Sequence, residues 1–211
     1  MTRVDKVYGF ILPISSEEYA RGNKYGSILQ AREDKRTGTR IELVEYTEEH
    51  HEHLGKVKKT VKNLHLHRRI PGIIRKVIPD NACIIKETSY SSIDKIRTHY
   101  HNTHFSKTTF NLTINTITVD GEVRNNPFEY EELEYHDLTH KPRLQTSICY
   151  KHVSVEVNKY MLGWIAYEID KSIKTLLVKH HQNIVIKKGE WMEMTMKELE
   201  EMERESFSSE S

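Results

Sequence analysis

SICYKHVSVEVN, residues 147–158, decides the fold: strict alternation sets Cys149, Lys151, Val153, Val155 and Val157 on one face and Ile148, Tyr150, His152, Ser154, Glu156 and Asn158 on the other. Successive side chains of a β-strand point to opposite faces, so the valines turn inward and Lys151 follows them. A lysine removed from water needs an anion, because an unpaired buried ammonium costs several kcal/mol or loses its proton. An inward lysine beside an apolar tract therefore points to an anionic group at one end of a cavity and hydrocarbon beyond it.

Two more segments carry the same gradient. In residues 56–66 one face reads Lys58, Thr60, Lys62, Leu64, Leu66, and in residues 110–118 one face reads Phe110, Leu112, Ile114, Thr116, Thr118 in the opposite direction. Antiparallel pairing gathers the Thr and Lys groups at one end of a shared cavity and the apolar residues at the other, which is the outline of a phospholipid.

Around these strands the chain reads as an α+β domain. Val7 to Leu12 is a strand stopped by Pro13, and Ser15 with Glu18 forms the S-x-x-E start of a helix that Gly22 and Gly26 are expected to break or kink on its way to Arg32. Further strands are expected at 41–48, 56–66, 82–89, 98–105 and 110–119, with a short helix at 70–77 between prolines. Residues 123–141 lack periodicity, with acidic residues clustered at 129–134, and read as a loop with one short strand or helix. Leu162, Ile165, Ile169, Ile173 and Leu176 recur at helical spacing, and Thr195 with Glu198 caps a last helix that turns Leu199 and Met202 inward. A curved antiparallel sheet with a long helix laid across it is the order of a helix-grip fold. One domain over 1–205 and a disordered tail over 206–211 are expected.

Composition narrows the function. The 211 residues hold 32 Lys plus Arg against 31 Asp plus Glu, so no global charge draws the chain to nucleic acid or an anionic surface. A mean hydropathy of -0.68 and the lack of a long apolar run exclude a transmembrane helix. With no secretory leader in residues 1–12, a cytoplasmic protein is expected. Cys83 and Cys149 sit in apolar strands without metal-ligand spacing and read as reduced buried thiols. The 13 histidines, including His50, His51, His53, His65, His67, His99, His101 and His104, raise a metal-enzyme alternative, but no carboxylates stand at ligand spacing near the last three. The basic HLHRR at 65–69 is too short and lacks the interleaved aromatics of an RNA binder. No nucleophile motif is present.

YGFILPISSEEYARGNKY at 8–25 resembles the opening of the phosphatidylinositol transfer proteins, of StART-like helix-grip fold, and the resemblance continues in order. TVKNLHL at 60–66, IPGIIRKVIP at 70–79, RTHYHN at 97–102, CYKHVSVEV at 149–157 and WMEMTMKELEEMERE at 191–205 are similar to that family's motifs. The resemblance implies a monomeric, non-enzymatic carrier without a cofactor. It would hold one phosphatidylinositol or phosphatidylcholine, head group inward, and meet membranes transiently. It further implies that Thr60, Lys62 and Glu203 contact the inositol ring, and that Asn23, in place of a glutamine, contacts the phosphate with Thr98, Thr116 and Lys151. Ser91 stands where the family has an inositol-contacting asparagine. Lys159 and Tyr160 replace a pair of membrane-inserting tryptophans, leaving Tyr160, Met161 and Trp164 as candidate docking residues. The family's long loop before the valine strand is largely missing between 135 and 146, which leaves the opening of the cavity unassigned. A lipid sensor without transfer activity is the remaining alternative.

Overall fold

A computed structural model describes residues 1–67, 70, 72–106, 109–121, 126–130, 132–139, 145–158 and 162–207. In chain order the elements are β1 (Thr2–Leu12), α1 (Ser16–Arg36), β2 (Arg40–His51), β3 (Gly55–His65), α2 (Gly72–Arg75), a 3-10 turn (Asp80–Cys83), β4 (Ile84–Ser91) and β5 (Lys95–Asn102). They continue with β6 (Phe110–Asp120), β7 (Leu133–Asp137), β8 (Ser147–Val157), α3 (Trp164–Ile186), α4 (Lys188–Trp191) and α5 (Met196–Phe207). Among the described residues, eight strands form one open sheet in the order β2-β3-β4-β5-β6-β8-β1-β7, with helices packed on one face. The architecture is α+β and consistent with a helix-grip-like fold.

The sheet is mixed, not wholly antiparallel. The short strand or helix expected within 123–141 is a strand, β7 at residues 133–137, which pairs parallel to β1 with Val7 opposite Leu133 and Ile11 opposite Asp137. Its neighbourhood also covers the outer face of β1 and β8. There Val7, Ile11, Ile148 and Tyr150 form a second small core with Phe128, Leu133 and Tyr135. Both faces of β8 are consequently buried, although the valine face alone announces burial.

The larger core lies between sheet and helices. Phe10, Leu12, Tyr19, Ile28, Ile184, Trp191 and Leu199 are almost completely buried in it. Both capping boxes form: Ser15 and Glu18 bond reciprocally at the start of α1, and Thr195 and Glu198 do so before α5. The expected break in α1 does not occur, and the helix runs unbroken from Ser16 to Arg36. Its glycines serve close approach. A Cβ on Gly22 would stand 2.7 Å from Ile184 Cγ2 and 2.9 Å from Trp191 Cζ2, and one on Gly26 would stand 2.6 Å from His180 Cε1. The cost of glycine in a helix, about 1 kcal/mol each, is offset by bringing α1 against α3 and α4. At the other end α5 extends through Ser206 and Phe207, into the segment expected to be tail.

Candidate functional site: a graded cavity between sheet and helices

Register explains how the strand gradients combine. Across the sheet Lys58 of β3 pairs with Ser91 of β4, Ser91 with Ile96 of β5, Ile96 with Thr116 of β6, and Thr116 with Lys151 of β8. Two residues along, Thr60, Ser89 and Thr98 share the next row, and Lys62, Glu87, Tyr100 and Leu112 the one after. Leu64 then pairs with Ile85, and Phe110 with Val157. The hydroxyl and amine groups crowd one end of the inner face, and aliphatic and aromatic side chains take over along roughly 20 Å of strand.

This face and helices α1, α3 and α5 border a cavity of about 1380 Å³. That exceeds the roughly 300–1,000 Å³ of pockets for drug-sized ligands. All eight residues assigned to head-group contacts, Asn23, Thr60, Lys62, Ser91, Thr98, Thr116, Lys151 and Glu203, line it. Its apolar part is walled by Leu64, Leu66, Ile70, Ile74, Ile85, Phe110, Leu112, Leu162, Ile165 and Ile169.

At the polar end Lys151 is 6 % exposed, and its amine donates to Thr116 Oγ1 at 3.0 Å. No carboxylate among the described residues pairs with it. Burial pushes its pKa below the ordinary lysine value. Nearby, Ser89 and Thr98 hydroxyls share a 3.1 Å bond. On the α5 side Glu203, 5 % exposed, is held by Lys24 Nζ at 2.6 Å and Lys62 Nζ at 3.6 Å. Burial pushes the Glu203 carboxyl up, but the two ammonium groups outweigh it and hold its pKa below the ordinary value. Lys62 also lies 3.9 Å from Glu87 and 4.3 Å from the centre of the Phe207 ring. Donors and acceptors thus alternate in a patch suited to a polyol, a few strands from a buried amine suited to an anion.

Three residues of this polar end escape sequence reading. Lys24 reaches Glu203 across 179 positions of sequence, which no local pattern encodes. Glu87 carries a readable sign, since it alternates with Ser89 and Ser91 on one face of β4. His180 continues the helical stripe of Ile173 and Leu176, yet a histidine in an apolar stripe does not by itself announce a cavity.

Trp164 opens α3, 36 % exposed, and does not line the cavity, with Tyr167 beside it 60 % exposed. Tyr160 and Met161 lie outside the described residues, as do Arg68 and Arg69 of the basic HLHRR stretch. Among the described residues no three His, Cys, Asp or Glu side chains gather as a metal-binding group. His99 bonds Thr113 Oγ1 at 3.3 Å, and His51 packs edge-on against Tyr90. Cys83 and Cys149 are both free and buried. Among the described residues no helix is long and apolar enough to cross a membrane.

The family model of the phosphatidylinositol transfer proteins matches residues 4–142 and 138–208. The chain belongs to the phosphatidylinositol transfer protein family. Comparison with curated proteins yields no match. Among solved structures, the crystal structure of TTHA0849 from Thermus thermophilus is similar at 10% identity and a TM-score of 0.41, over 97% of this chain and 100% of that one. At that score it bears on neither fold nor function.

Proposed function

We propose that this protein carries one phosphatidylinositol or phosphatidylcholine molecule, head group inward, and exchanges it between membranes. The observation that carries the reading is Lys151: a buried amine without a carboxylate partner among the described residues, at the polar end of a cavity that becomes apolar beyond it. A phosphodiester supplies the missing anion and the acyl chains fill the rest. In this reading Lys151, Thr116, Thr98 and Asn23 hold the phosphate. Thr60, Lys62, Glu203 and Ser91 hold the inositol, and Trp164, with Tyr160 and Met161, touches the membrane.

The need for a cavity follows from the cargo. Two acyl chains of roughly thirty methylenes would cost about 25 kcal/mol to expose to water at about 0.8 kcal/mol each. The cavity wall replaces the bilayer, and opening is favoured only where lipid contacts reward it, at a membrane surface. No covalent step is needed, and the protein shuttles in the cytoplasm as a monomer.

Lys62→Ala separates the two head groups. Lys62 serves the ring and not the phosphate, so the variant should lose phosphatidylinositol transfer and keep phosphatidylcholine transfer. Glu203 keeps its 2.6 Å bond to Lys24, so α5 stays docked. Equal loss of both lipids in a vesicle transfer assay would count against the assignment.

A further inference from the structure

Asn23 of α1 and His180 of α3 stand 157 positions apart in sequence, and His180 Nε2 lies 2.9 Å from Asn23 Oδ1. Both line the cavity with Lys151 and Thr116, and the Lys151 charge acts on His180. Proton counting decides which group orients which.

His181 Nδ1 is 2.7 Å from the carbonyl of Leu177, which only accepts, so Nδ1 carries the proton. Burial and the neighbouring Lys151 push His181 well below the ordinary histidine pKa, so the ring is neutral and its Nε2 is bare. That bare Nε2 takes the single hydroxyl proton of Tyr19, 3.1 Å away. The Tyr19 hydroxyl also faces Asn23 Oδ1, at the longer distance of 3.3 Å. Asn23 Oδ1 only accepts, so the closer group, His180 Nε2 at 2.9 Å, carries the proton. Burial and Lys151 push His180 down to about 3, so this ring too is neutral, with a bare Nδ1 on the Gly26 side.

We propose that His180 is a positioning residue for the lipid phosphate: its Nε2–H fixes the Asn23 carboxamide oxygen, so that the Asn23 NH2 group faces the cavity and donates to the anion. No acceptor among the described residues takes that NH2 group. The inference rests on the phosphate reading of Lys151 and adds an oriented neutral donor beside the amine. Since every glycerophospholipid has the phosphate, His180 strengthens both cargoes alike and does not choose between head groups.

The test is a double-mutant cycle read by transfer of radiolabelled phosphatidylinositol and phosphatidylcholine between phosphatidylcholine vesicles. Losing one oriented hydrogen bond, His180→Phe should weaken retention of both lipids by about five- to tenfold. Asn23→Ala should do the same, and the double variant should be no worse than Asn23→Ala alone. His180→Gln, whose amide still donates, should recover most of the loss. Additive losses, or no loss in His180→Phe, overturn the proposal. Lys151→Ala run in parallel separates the two claims. If it retains both lipids, the phosphate reading itself fails. If it loses both while His180→Phe loses neither, the positioning role alone fails. Should His180→Phe not fold, nitrogen-15 NMR of the unsubstituted lipid-loaded protein decides: a ring protonated at Nε2 and bare at Nδ1 supports the proposal, and an Nδ1–H ring or a histidinium overturns it.

Discussion

Replacing Lys151 by methionine keeps an unbranched side chain of similar length and removes the amine, so stability and lipid binding should move in opposite directions. In the empty protein the amine makes one hydrogen bond, to Thr116, worth about 1 kcal/mol net. Against this stands the burial of a polar group, about 1–3 kcal/mol. The lipid-free Lys151→Met protein is therefore expected to gain about 0–2 kcal/mol, a rise in Tm of roughly 0–8 °C for a chain of this size. In the loaded protein the same change removes a charge-assisted bond to phosphate worth about 1.5–3 kcal/mol, or roughly 10- to 150-fold in affinity for both lipids. The pH dependence has a definite sign. The folded pKa of Lys151 is lowered, so between that value and the ordinary 10.5 the unfolded chain binds the extra proton and stability of the empty protein rises with pH. The methionine variant lacks that rise. Calorimetric melting of delipidated protein across pH, with vesicle transfer alongside, gives both readouts. A loss of more than about 2 kcal/mol in the lipid-free variant, or unimpaired transfer, would refute the reasoning.

Further perturbations probe other parts of the account. Ser91→Asn lengthens a cavity-lining side chain at the inositol end, and one added hydrogen bond of about 1 kcal/mol should raise the phosphatidylinositol preference roughly fivefold in a competition transfer assay; an unchanged ratio sinks that role for position 91. Gly22→Ala puts a methyl 2.7 Å from Ile184, so overpacking of about 1–3 kcal/mol should exceed the helix gain of about 1 kcal/mol and lower the Tm, whereas a raised Tm would mean that α1 and α3 yield easily. The Glu203 carboxyl, with its pKa held down, contributes stability above the ordinary value near 4.5 that is lost as pH falls through its lower folded value. Amide exchange in α5 should accelerate over that acid range, and less so in Glu203→Gln.

The parts of the fold written in local period were readable. Lys151 among alternating valines, and the two opposed gradients ending in Leu64 and Phe110, assembled in register as alternation requires. The two S/T-x-x-E caps marked helix starts correctly. What stayed hidden is non-local. A short strand or helix is expected within 123–141, but the parallel pairing of β7 to β1 is a contact between distant segments that no local pattern encodes. Gly22 and Gly26 look like helix breakers until the residues that approach them, Trp191 and His180, are known. Lys24 and His180 join the site through bonds between helices distant in sequence, and no spacing rule finds them.

The most direct test is to purify the protein from cells under native conditions and identify by mass spectrometry what comes with it. One glycerophospholipid per chain, phosphatidylinositol or phosphatidylcholine, is the expected result, with Lys151→Ala emptied of both. Protein that emerges lipid-free under conditions that preserve other lipid complexes, or that carries stoichiometric zinc or nucleotide in its place, would contradict the account.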